Sequence, residues 1–84
     1  MSKGVMLNMT VDIWQQQFSK RVIALMKENN ISQRQLSKAS GISPGRLNEY
    51  VSMKAMPNIF AIINIAYVFD ISIESLIDFG ERIG

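Results

Sequence analysis

SQRQLSKASGISPGRLNEYVSMK, residues 32–54, reads as two short helices joined by a glycine turn, each opened by its own cap. Ser32 precedes Gln33 and has Gln35 three residues on. That S-x-x-Q spacing is a capping box, in which side chains and backbone satisfy one another at a helix start. Gly41 falls where a tight turn needs positive φ, a conformation glycine reaches without a Cβ clash. Ser43 then caps the second helix, and Pro44 stands at its first position, where the missing N–H costs nothing. Leu36, Ile42, Leu47 and Tyr50 supply the apolar residues that hold the pair at an angle.

Two capped helices so arranged make a helix-turn-helix, whose second helix can enter a DNA major groove. The bounds set by composition agree. Eighty-four residues make one domain, and a chain of this size can bury about 60% of its unfolded surface. An apolar fraction of 48% with two prolines argues for a packed globule rather than a disordered tail. There is no cysteine and no histidine, which excludes a disulfide frame and a zinc site of the usual ligands. The longest apolar run, Ile59 to Phe69, is interrupted by Asn64 and is too short to span a bilayer. No signal-peptide pattern opens the chain. The expected location is the cytoplasm.

Net charge is only +2, but it is unevenly spread. Residues 1–54 hold eight basic residues against three acids, a balance of +5, whereas residues 55–84 hold one against four, or −3. The basic half contains the two capped helices, so a phosphate-facing surface is expected there. A catalytic reading has little support. The acids are scattered, and neither a Gly-rich phosphate loop nor a nucleophile elbow is present. No enzyme activity, metal or cofactor is expected.

Outward from the central motif, Met1 to Thr10 lacks periodicity and is expected to form a mobile arm, so residues 1–11 are set apart from one domain over 12–84. Helix 1 is expected from about Asp12 to Glu28, with Phe18, Val22 and Leu25 as a buried stripe. Asn29-Asn30 ends it, because asparagine tolerates left-handed geometry at a helix end. Helices 2 and 3 are expected over Gln33–Ala39 and Pro44–Val51. After Pro57, Asn58 caps helix 4, Ile59–Phe69. Ser72 begins helix 5, Ile73–Asp78, and Gly80 stops it. The fold expected is an all-α, compact five-helix bundle. Leu36, Leu47, Tyr50 and Val22 read as core, and the methionines as gap-fillers or surface residues.

From Phe18 to about Phe79 the chain resembles the phage lambda repressor and Cro helix-turn-helix family, often called XRE-like. The family's run L-S-Q-x-x-L-A-x-x-x-G-(V/I)-S is matched by Ile31 through Ser43. Its later P-(S/T)-x-x-x-(L/I)-x-x-(I/L)-A-x-x-(L/F)-x-(V/I)-S-x-(D/E)-x-L is similar to Pro57 through Leu76. Pro57, Ile62, Ile65, Ala66, Phe69, Ile71, Ser72, Glu74 and Leu76 are the anchors of that second match.

The resemblance implies duplex DNA as partner and assigns roles by position. Gln33 matches a glutamine that bonds a phosphate and braces the recognition helix; physically, the free N–H groups of a helix N-terminus suit a phosphate. Groove-facing positions fall on Pro44, Gly45 and Glu49, flanked by Arg46, Asn48 and Ser52. Arg34, Ser43 and Lys54 complete the expected DNA-binding set. Pro44 and Gly45 depart from the family pattern, because neither reads a base edge through a side-chain hydrogen bond. Arg46 suits a phosphate or guanine, Asn48 an adenine, and Glu49 a cytosine amino group. A carboxylate in the groove repels phosphate unless it finds such a donor. Met53 stands where the family often has glycine, so a different turn is expected there.

Helix 4 leaves almost no polar face, and an all-round apolar helix should be covered. Phe60 and Tyr67, seven apart, share one side. Either Met1–Trp14 folds back over it, or it is a subunit interface. The expected homodimer face contains Phe60, Ile63, Tyr67 and Phe79. Together these features point to a sequence-specific transcriptional regulator of repressor/Cro type, from a phage, prophage or mobile element, with no room for an appended sensor. The alternative is a protein-interaction module on the same fold, a modulator of another repressor or an antitoxin partnered with a toxin. Pro44-Gly45 and helix 4 favour it.

Overall fold

In the computed structural model, which describes residues 10–78, the chain forms α1 (Val11–Glu28), α2 (Gln33–Ser40), α3 (Pro44–Val51), α4 (Ile59–Val68) and α5 (Ile73–Ile77). All five expected helices are present, and no strand occurs among the described residues. Every start carries a side-chain cap. Ser32 Oγ accepts from Gln35 N–H while Gln35 Oε1 accepts from Ser32 N–H, at 3.0 and 2.8 Å, which completes the capping box. Asn58 Oδ1 accepts from Ala61 N–H at 2.8 Å, and Ser72 Oγ from Ser75 N–H at 3.0 Å. Each bond satisfies a donor that the helix itself leaves open.

The boundaries differ slightly from the expected ones. Thr10 Oγ1 accepts from Ile13 N–H, so α1 begins at Val11. Thr10 and Val11 therefore belong to the helical domain rather than to the arm. Met1–Met9, the rest of that arm, lie outside the described residues. α2 runs on to Ser40. Both α4 and α5 stop one residue early, at Val68 and Ile77, with Phe69 and Asp78 as their C-caps. Asp78 takes extended backbone, so α5 ends before Gly80, which is itself outside the described residues.

Three helices end in the same way, with one left-handed residue after the cap: Asn30 (φ 55°), Met53 (φ 63°) and Asp70 (φ 56°). After each, the next N–H reaches back to a carbonyl of the last turn: Ile31 to Met26 at 2.9 Å, Lys54 to Glu49 at 2.8 Å, Ile71 to Ala66 at 3.0 Å. These are Schellman ends. The turn after α3 therefore keeps the glycine-type geometry, contrary to the expectation drawn from Met53. Methionine bears the Cβ strain there instead.

α1 packs on α3 and α5, α2 on α3 and α4, and α4 on α5. Phe18, Val22, Leu36, Leu47, Ile65 and Leu76 are fully buried where these faces meet. Removing such a side chain to alanine typically costs ~2–5 kcal/mol. Trp14 stacks on Phe18 with ring centroids 5.2 Å apart. Polar ties set the helix angles. Ser19 Oγ donates to Val51 carbonyl, and Ser37 Oγ to Ile42 carbonyl across the motif's turn. Asn64, the polar residue inside apolar α4, donates its Nδ2 to Ser40 carbonyl at 3.0 Å and so anchors α4 to the end of α2. Arg21 donates to Ser75 carbonyl through Nε and Nη2, at 3.2 and 2.6 Å.

One face of α4 stays open among the described residues. Ala61, Ile62, Ile65 and Ala66 point inward, while Phe60 is 70% and Tyr67 85% exposed. The part of Met1–Trp14 that is described starts α1, which packs on α3 and α5.

Candidate nucleic-acid interface

α3 is held from within. Leu47 and Tyr50 of α3 are buried in the core, so the 3.6-residue period turns Pro44, Gly45, Arg46, Asn48 and Ser52 outward. All five are exposed, and Glu49 is half-buried. Gln33, the first residue of α2, donates Nε2 to Asn48 Oδ1 at 3.4 Å. That contact lays the start of α2 beside the middle of α3. The open N–H groups of α2's first turn, with the dipole behind them, thus stand next to the outward face of α3, where an anion is favoured.

The candidate residues differ in what they can still offer. Arg34 and Lys54 are exposed and form no ion pair among the described residues. Arg46 approaches Glu49 at 3.8 Å, one turn along α3. Both are substantially exposed, so this pair contributes little to stability and leaves the guanidinium ready to move to a phosphate or base edge. Ser43 Oγ accepts from Arg46 N–H at 3.3 Å, which leaves its hydroxyl hydrogen available. Ser52 Oγ donates to Asn48 carbonyl at 2.6 Å, so its hydrogen is committed within α3. A Cβ built at Gly45 would meet nothing within 4 Å. Internal packing therefore does not demand glycine at Gly45, and the side chain is missing on the outward face. Asn48, Arg46 and Glu49 remain as the α3 side chains long enough to probe a groove.

Of the expected dimer face, Phe60, Ile63 and Tyr67 share one exposed side of α4, and Phe79 lies outside the described residues. Asn64 reads in the sequence only as an interruption of an apolar run; its bond to Ser40 carbonyl is what that lone amide signals.

The sequence model of a family described as Helix-turn-helix matches residues 22–76, from the core stripe of α1 to the buried leucine of α5. No curated protein and no solved structure matches the chain. No described helix is long and apolar enough to cross a membrane.

Proposed function

The chain belongs to the XRE-like helix-turn-helix family, DNA-binding regulators, and from that premise we propose that it is a sequence-specific, dimeric transcriptional regulator of repressor/Cro type that inserts α3 into the major groove. The observation that carries this reading is the bond from Gln33 to Asn48. It aligns a phosphate-suited helix start with an amide that matches adenine's donor and acceptor edge. A phage, prophage or mobile element is the proposed origin, and the cytoplasm the proposed location. One recognition helix spans a few base pairs, so selecting a site needs a second copy. A two-fold pair sets its helices about 34 Å apart on one side of the duplex.

Fluorescence anisotropy with duplexes from DNA flanking its own reading frame tests the proposal. If a dimer neutralises about six phosphates, log K should fall against log[salt] with a slope of roughly −5. The sequence preference should survive at salt concentrations that abolish binding to random duplex. A slope near zero, or no binding to any duplex at low salt, would sink it.

A second reading is favoured by one specific observation, the exposure of Phe60 and Tyr67. On this reading the fold serves as a protein-interaction module that modulates another regulator or neutralises a toxin, with Pro44-Gly45 having removed base reading. Binding assays separate the two readings, since a module of this kind shows no preference among duplexes.

A further inference from the structure

An open trough of about 640 Å³ runs along the end of α1, where the chain turns into α2. Ile23, Met26 and Lys27 of α1 line it, with Ile31 from the turn and Gln33 and Gln35 from α2. Of these only Gln33 belongs to the set expected to touch DNA. The shape follows from the helix end. Asn30 takes the left-handed conformation, and Ile31 N–H donates to Met26 carbonyl at 2.9 Å, which folds Ile31 back beside the last turn of α1. Met26 is part of the core and Ile31 packs against it. Ile23 does not share that cover and is 42% exposed. On the other side the capping box ties Ser32 to Gln35, so that wall is fixed as well.

The charges along the trough have one sign. Lys27 lines it, and no carboxylate does. Lys20, Ile23 and Lys27 follow at intervals of three and four, which sets them on one side of α1, and all three are exposed. Neither lysine forms an ion pair among the described residues. Glu28, the acid next in sequence, falls one position further round the helix and does not line the trough. An exposed isoleucine thus stands between two ammonium groups.

Chemistry separates the occupants. A small molecule would keep much of its surface in water, because the trough is open. A second copy docked two-fold would bring the two lysine rows together, and like charges across an interface oppose association. A duplex would satisfy the lysines but offer Ile23 and Ile31 only phosphate and water. A helix with an apolar row flanked by carboxylates meets every group present, aliphatic carbon against Ile23 and Ile31 and acid against Lys20 and Lys27. We propose that the trough between α1 and α2 is the docking groove for an acidic amphipathic helix of a partner protein.

Two synthetic helical peptides test this with the full chain. Both carry leucines at i, i+3, i+4 and i+7, flanked by glutamates in one and by lysines in the other. Titration of the isotope-labelled protein with the glutamate peptide should give saturable shifts of the Ile23, Lys27, Ile31 and Gln35 amide resonances. Ile23→Ser should weaken that binding roughly tenfold, as expected for loss of a central anchor. Lys20→Glu combined with Lys27→Glu should reject the glutamate peptide and accept the lysine peptide, with salt weakening both pairings. Thermal melts establish that the variants keep the fold. Absence of saturable shifts with the glutamate peptide, or shifts centred on Phe60 and Tyr67, overturns the proposal. Equal binding of both peptides by the wild type overturns it too, since adhesion would then be apolar alone. A random duplex that shifts the same amides and displaces the peptide would make the trough a flank of the nucleic-acid surface. Self-association that depends on Ile23 would make it a contact between copies. Either result also overturns the proposal.

Discussion

Gln33 and Asn48 lie fifteen residues apart in sequence and meet at 3.4 Å, the amide of one helix start donating to the amide in the middle of the next. The bond is exposed and contributes little to folding. Its consequence is orientational. With Oδ1 of Asn48 drawn toward α2, Nδ2 is left outward as a donor, and the start of α2 is tied to the side chain best suited to a base edge. On the proposed DNA-binding reading, the residue that sets phosphate register and the one that reads a base would act as one unit.

Coupling between them should appear in a double-mutant cycle. Gln33→Ala and Asn48→Ala should each leave the melting temperature nearly unchanged and each weaken binding to the preferred duplex. Together they should fall short of additivity by about 0.5–1 kcal/mol, the low end of the range seen for contacting residues. Additive losses measured by anisotropy would mean the two side chains meet DNA separately.

Glu49 is expected to hold affinity down. It lies 3.8 Å from Arg46 and places a negative charge on the helix proposed to approach phosphates. Glu49→Gln should therefore raise affinity for random duplex severalfold at low salt and steepen the salt slope, since Arg46 is released to phosphate. A loss confined to particular sequences would show instead that Glu49 accepts a hydrogen bond from cytosine.

Two left-handed turn residues predict opposite effects on stability. Met53 sits at φ 63° and is 45% exposed, so Met53→Gly should stabilise by about 0.5–1 kcal/mol once glycine's own entropy is subtracted. For a domain of this size that is roughly 2–8 °C in Tm. Gly41 sits at φ 77°, with nothing within 4 Å of a Cβ built there. Gly41→Ala should cost about 1–2 kcal/mol through backbone strain alone. Calorimetry on the two variants checks both signs.

The open face of α4 should be a contact between two copies. Phe60, Ile63 and Tyr67 are exposed on one side of an otherwise packed helix, and each would contribute roughly 1.5–3 kcal/mol on burial before association costs are subtracted. Phe60→Glu combined with Tyr67→Glu should give a folded monomer with weaker duplex binding. If sedimentation at micromolar concentration finds the wild type monomeric, and the double variant binds DNA equally well, α4 has another purpose.

Much of this protein was legible in one dimension because its signals are local. Ser32, Ser43, Asn58 and Ser72 announce helix starts through bonds three residues long, and Gly41 announces the turn through its own φ. The stripe Phe18, Val22, Leu25 needs nothing beyond the helical period to be assigned to the core. Fold and family followed from these. Tertiary structure decided what depends on two segments meeting. Gln33 finds Asn48 and Asn64 finds the end of α2, neither of which a sequence period encodes. It also decided where strain lies. Met53 looked like a change of turn, yet the Schellman bond from Lys54 to Glu49 and the packing on either side hold the backbone in the left-handed region. Local propensity lost there because the cost at one residue, about 1–2 kcal/mol, is smaller than that of undoing a buried core.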